Sequence, residues 1–210
     1  MTASTTVTKP AISSVTAPLA KQSRLVVCIT GMPGAGKSTA SEISQTMEFE
    51  VFRMGDDVRM EAERRKLVST DENLGVVMLQ LRQNGGPAAI AHLCKQRIEK
   101  EAKSSFILID GVRNVNEFLE FKKLGNAVLV TIHASPERRY KFLQARSRTD
   151  SPNSFQAFES RDRRELSVGI GESIALADEV VVNKGSVEDL KRDVAALLND
   201  LKQKFTSELK

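Results

Sequence analysis

Gly31, Met32, Pro33, Gly34, Ala35, Gly36, Lys37, Ser38 and Thr39 run consecutively, and their types and spacing suit chemistry on a polyphosphate. A triphosphate carries several negative charges that need dense hydrogen bonding. Backbone N–H groups supply donors without a competing acceptor, provided that the chain wraps closely around the oxygens. Glycines permit that wrapping because they lack Cβ and tolerate positive φ. The pattern G-x-x-x-x-G-K-[ST] is that of a phosphate-binding loop. In such a loop Lys37 reaches the β and γ oxygens, and the Ser38 hydroxyl ligates Mg²⁺. Thr39 serves either the helix or the α-phosphate. The implied ligands are ATP and Mg²⁺.

A carboxylate and several arginines stand where they could complete such a site. Asp110 ends the apolar run Phe106–Ile109. At the C-terminal edge of a parallel sheet it would face the phosphates and hold Mg²⁺ or its waters. The competing reading is a turn-forming Asp before Gly111. Arg59 follows Gly55, Asp56 and Asp57, and Arg113 follows Asp110 and Gly111. Both lie just past strand ends, where two guanidinium forks could clamp an acceptor's phosphate; a solvated helix face is the alternative for either alone. Arg138, Arg139, Arg146 and Arg148 surround a polar break, and Arg161, Arg163 and Arg164 follow it. As a cluster they read as a mobile lid that stabilises transferring charge and excludes water, with Arg146 foremost and Arg148, Arg161 or Arg164 in support.

These groups need a scaffold, and the hydrophobic pattern supplies one. Leu25–Thr30, residues 48–54, Phe106–Asp110, Ala127–Ile132 and Val180–Val182 read as strands. Helices are expected from Thr39, from Gly55 to Lys66, over Glu72–Gln83 and over Pro87–Lys103. Further helices are expected over Asn114–Leu124, from Pro136 to Arg146, over Ser154–Leu166 and from the capping box Ser186-x-x-Asp189 onward. Residues 168–171 read as a glycine-containing turn. Strands apolar throughout, alternating with helices, argue a parallel sheet covered on both faces.

Composition sets the bounds. At 210 residues the chain suits one α/β domain with small insertions. Hydrophobic residues at 40% and charged residues at 28% fit a soluble globular protein, and no apolar run approaches a membrane span. The net charge is +4, half of it from Lys9 and Lys21; Trp is absent and Tyr occurs once. Neither a basic track nor an aromatic platform supports nucleic-acid binding. Cys28 and Cys94 lack metal or redox spacing and read as core residues of a reduced, cytoplasmic protein. His92 and His133 read as structural. Residues 1–22, rich in Ser, Thr, Ala and Pro, read as a disordered tail without a signal-peptide core, and residues 23–210 as the domain.

The motifs Gly31–Thr39, Gly55-Asp56-x-x-Arg59 and Asp110-Gly111-x-Arg113 resemble adenylate kinase and related nucleoside monophosphate kinases in type and order. That resemblance implies that Arg59 and Arg113 bind the acceptor phosphate. Adenylate kinases place one more residue between the Asp-Gly and the Arg. Residues 177–185, ending in Asn183, Lys184 and Gly185, resemble the stretch of dephospho-coenzyme A kinase that borders the adenine of ATP. Over residues 24–200 the chain is similar to a largely archaeal group of adenylate-kinase-related predicted kinases. The resemblance implies a five-stranded parallel sheet in order 2-3-1-4-5, a helical acceptor-binding insertion at about 55–103 and a lid at about 146–165. It also implies phosphoryl transfer to a nucleotide-like small molecule, a nucleoside monophosphate or dephospho-coenzyme A. Asp56 and Asp57 are candidate helpers if the acceptor is a hydroxyl. A GTPase would need Asn-Lys-x-Asp, but Ser186 follows Gly185. A non-catalytic or regulatory ATP-binding protein is the main alternative. Oligomeric state is not legible.

Overall fold

A computed structural model describes residues 24–145 and 154–209. Its centre is a five-stranded parallel sheet in the order β2-β3-β1-β4-β5, the order expected. The strands are β1 (Leu25–Thr30), β2 (Glu50–Arg53), β3 (Phe106–Asp110), β4 (Asn126–His133) and β5 (Glu179–Val182). β1 is buried along its whole length, as its unbroken apolar run requires in a sheet covered on both faces.

Each face has its own core. On one side α2 (Met54–Arg64), α3 (Asp71–Gly85), α4 (Ala89–Glu101) and α5 (Val115–Phe121) bury Val58, Met78, Ile90, Ile98 and Phe121 against Cys28 and Ile109. On the other, α1 (Lys37–Thr46) and α9 (Val187–Glu208) bury Ala40, Leu190, Val194, Leu198 and Leu201 against Val27, Leu108 and Val130. Each such aliphatic side chain contributes about 1.5–3 kcal/mol when fully buried. α9 starts on the expected capping box: Ser186 and Asp189 exchange bonds between side chain and backbone. α6 (Pro136–Ala145), α7 (Phe155–Ser167) and α8 (Ile170–Ala175) complete the fold.

Two local expectations are corrected. The second helix begins at Met54, a residue before Gly55, because β2 ends at Arg53. Residues 168–171 are not a simple turn. Gly169 adopts φ +100° and ends α7, and the chain re-enters a helix at once as α8. A side chain at 169 would also crowd Asn114, with Cβ 3.0 Å away. Among the described residues, no helix is long and apolar enough to cross a membrane.

Candidate active site

The loop between β1 and α1 has the backbone its glycines allow. Gly31 sits at φ +133°, and a Cβ there would lie 2.3 Å from the carbonyl oxygen of Ile132. Gly36 sits at φ +113°, where a Cβ would meet Leu190 at 2.7 Å and Asn183 at 2.9 Å. Gly36 caps α1 with no side-chain hydrogen bond, so the first turn keeps donors for an anion. Lys37 follows directly. Its Nζ donates to the carbonyl oxygens of Gly31 (2.6 Å) and Met32 (3.2 Å).

Parallel register brings Asp110 to the loop. Ile29, two residues before Gly31, pairs with Asp110, and the N–H groups of Gly111 and Val112 both donate to the Ile29 carbonyl at 3.1 Å. Ser41, fully buried one turn beyond Ser38, donates its hydroxyl to Asp110 Oδ2 at 3.2 Å. Lys37, Ser38, Asp110, Arg59, Arg113 and Arg161 line one cavity of about 420 Å³ with Pro33 and Gly34 of the loop. Gly55, Arg59, Arg113 and Arg161 also line a smaller cavity, of about 80 Å³, under α3, beside Leu74, Met78, Asp71, Arg164 and Glu165. Ser38 and Asp110 are oxygen ligands of the kind Mg²⁺ takes alongside substrate phosphates, and the glycine cradle fits a polyphosphate.

The Lys37 side chain is partly exposed as a whole, but its ammonium sits among protein atoms. That desolvation lowers its pKa to about 8, although the charge of Asp110 works the other way. A basic group whose folded pKa is depressed binds fewer protons folded than unfolded, so its penalty holds below about 8 and eases as pH rises. Polyphosphate binding requires the charged form. We expect the Kd for ATP to be flat below pH 8 and to rise about tenfold per pH unit above it. Calorimetry at pH 9 in two buffers of different ionisation enthalpy should record uptake of up to one proton per ATP; zero uptake would contradict this assignment.

The arginines are held differently from the expected free lid. Arg146 and Arg148 lie outside the described residues, as does the expected lid up to residue 153. α7, which does fall in the described part, is tied down on three sides. Arg139 donates to Asp162 at 2.6 and 2.8 Å and to the Pro33 carbonyl of the loop at 3.2 Å. Glu165, 4% exposed, accepts from Arg113 Nε at 2.6 Å. Burial works against the Glu165 carboxylate, but Arg113 prevails and holds its pKa below the ordinary value. Arg164 donates to Asp71 at 2.7 Å, and Arg161 lies 3.3 Å from the same carboxylate. Gly75 leaves room for this: a Cβ there would lie 3.1 Å from the Arg164 guanidinium.

Other expected residues divide. Arg59 lines both cavities and pairs with Asp56 at 2.7 Å on an exposed helix face. Asp57 is withdrawn as a helper. It is 4% exposed and held by two of the Arg97 nitrogens, at 2.8 and 3.0 Å, because α4 packs against α2 there. Asn183 turns inward, and its Nδ2 donates to the Ala35 carbonyl at 2.9 Å, bracing the loop from behind. The Gly185 carbonyl accepts from Arg138 at 2.6 Å; Lys184 beside it is exposed. Met32 is partly covered, and Thr39 follows on α1.

Sequence reasoning missed Ser41, Glu42, Arg53 and Glu165. Ser41 and Glu42 had a signal, since positions three and four beyond Ser38 share its helix face. Glu42 and Arg53 both line the large cavity. Glu165 had none, because its partner lies 52 residues away.

Residues 30–158 match the AAA domain family model AAA_17. The UPF0200 protein of Hyperthermus butylicus is 40% identical over 178 residues, spanning 85% of this chain and 95% of the relative. UPF0200 protein MJ1399 of Methanocaldococcus jannaschii is 41% identical over 178 residues, 84% of this chain and 90% of the relative. This chain belongs to the UPF0200 family. This chain has a P-loop kinase-like α/β fold. The crystal structure of TT1252 from Thermus thermophilus superposes with a TM-score of 0.62 at 19% identity, covering 85% of this chain and 98% of that one. Shikimate kinase from Acinetobacter baumannii, in complex with shikimate, gives a TM-score of 0.52 at 13% identity, covering 84% and 93%.

Proposed function

We propose that this UPF0200 protein is an ATP-dependent small-molecule kinase that transfers the γ-phosphoryl group to a nucleotide-like acceptor. One observation carries the reading: Lys37, Ser38 and Asp110 line a cavity that shares Gly55, Arg59, Arg113 and Arg161 with a second cavity under α3. Donor and acceptor could therefore lie end to end. The loop amides and Lys37 grip the donor's tail. Ser38 and Asp110 hold Mg²⁺, which when bound offsets charge on the phosphate oxygens. Arg59 and Arg113 bind the acceptor, and Arg161 and Arg164 orient the helix above it. Transfer of this kind depends on positioning and charge stabilisation more than on a strong base.

A second reading is a regulatory ATP-binding protein without transfer. The ion pairs that occupy Arg113, Arg161 and Arg164 favour it. Labelled ATP offered with nucleoside monophosphates, dephospho-coenzyme A and short oligonucleotides separates the two. The kinase reading expects labelled product from a small nucleotide-like acceptor. Tight ATP binding with no transfer to any of them would select the regulatory reading.

A further inference from the structure

Arg53 closes β2 and stands in register with Asp110 of β3, and both line the large cavity. The other arginines there already hold carboxylates: Arg59 holds Asp56, Arg113 holds Glu165 and Arg161 approaches Asp71. Among the described residues, the Arg53 guanidinium makes no hydrogen bond and no ion pair. Its backbone carbonyl accepts from Arg97 at 3.1 Å. A guanidinium stays charged at any working pH. Sharing a cavity with Lys37 and Arg113, it gains from an arriving anion more than the arginines that already have one.

Position says which anion. Neighbouring strands lie about 4.8 Å apart, and β3 separates β2 from β1, so Arg53 starts about 10 Å to the side of the strand that feeds the loop. A tail gripped by Gly31–Thr39 sits over β1. Arg53 lines the large cavity with Gly55, two residues on, and Gly55 also lines the smaller cavity under α3. We propose that Arg53 binds a phosphate group of the acceptor, its open fork taking two oxygens side by side. This assignment rests on the reading of the loop as an ATP site. It narrows the acceptor to a molecule that already carries phosphate.

Calorimetric titration of the full chain with ATP and with adenosine 5′-pentaphosphate tests it. The two additional phosphates of the second probe extend beyond the γ position into the acceptor space. Wild type is expected to bind the pentaphosphate at least about tenfold more tightly than ATP, as charge-assisted bonds imply. Arg53→Gln should leave the ATP Kd within about twofold and weaken the pentaphosphate at least about tenfold. Arg53→Lys should recover part of that loss, having the charge without the fork. Melting temperatures of both variants should stay within about 2 °C of wild type, since the side chain holds nothing in the fold. No gain in wild type, a smaller loss in Arg53→Gln, or an equal loss for both probes would overturn the assignment. If wild type fails to bind ATP at all, the loop reading falls first and this one with it.

Discussion

Lys37→Ala is expected to lower kcat/KM for phosphoryl transfer by at least about 10²–10³-fold, and to weaken ATP binding, without loss of stability. The catalytic part follows from charge. Lys37 places the loop's own cation in a cavity shared with Asp110, and a preorganised charge donor at developing phosphate charge is worth about 3–4 kcal/mol. The stability part follows from the depressed pKa. Near pH 7 the folded protein carries an ammonium that desolvation disfavours, although the Gly31 and Met32 carbonyls accept from it and the charge of Asp110 favours it. Removing it relieves that penalty, so the melting temperature should equal or exceed that of wild type. This is the expected signature of a residue kept for activity at a cost in stability. Undiminished turnover would remove the proposed site; lost turnover with a lower melting temperature would make the effect structural.

The second large effect is on stability. Arg139→Ala should destabilise the protein by about 3–5 kcal/mol, the usual result of breaking a buried pair by removing one partner. Arg139 is 4% exposed, binds Asp162 with two nitrogens, reaches the Pro33 carbonyl and lies 5.0 Å from the Phe158 ring. Its loss strands Asp162 and frees α7 from the phosphate loop. For a chain of this size each kcal/mol moves Tm by about 2–4 °C, so thermal unfolding should begin about 6–20 °C earlier. The double variant Arg139→Met with Asp162→Leu should restore most of the loss, because two apolar residues leave no buried charge. If the single variant melts like wild type, the ion pair does not hold α7 to the loop.

These two residues mark how far local reading reaches. Lys37 was legible because the chemistry of the loop is written in nine consecutive residues between an apolar run and a helix. The sheet was legible for a similar reason: strands buried on both faces are apolar at every position, as β1 is. Arg139 was not. It reads as one more cation of a lid, alongside Arg138, Arg161 and Arg164, and nothing near it in sequence names Asp162. Asp57 misled in the opposite direction, because its neighbours Gly55, Asp56 and Arg59 suggest a ligand edge while Arg97, 40 residues on, takes both its oxygens. Asn183 lies in the stretch assigned to the border of the base, and that stretch gave no sign that its side chain braces Ala35. Arg53 passed as the end of a strand until the register set it beside Asp110.

The glycine-rich loop, the alternation of strands and helices and the carboxylate at the end of β3 were all legible in the chain's residues alone. Backbone geometry and hydrophobic periodicity are short-range properties, set by residues a few positions apart. Only the tertiary structure decided which charges are spent within the protein and which remain for a ligand. A guanidinium and its carboxylate find each other across 23, 40 or 52 residues through packing of separate elements, and no local pattern encodes that meeting.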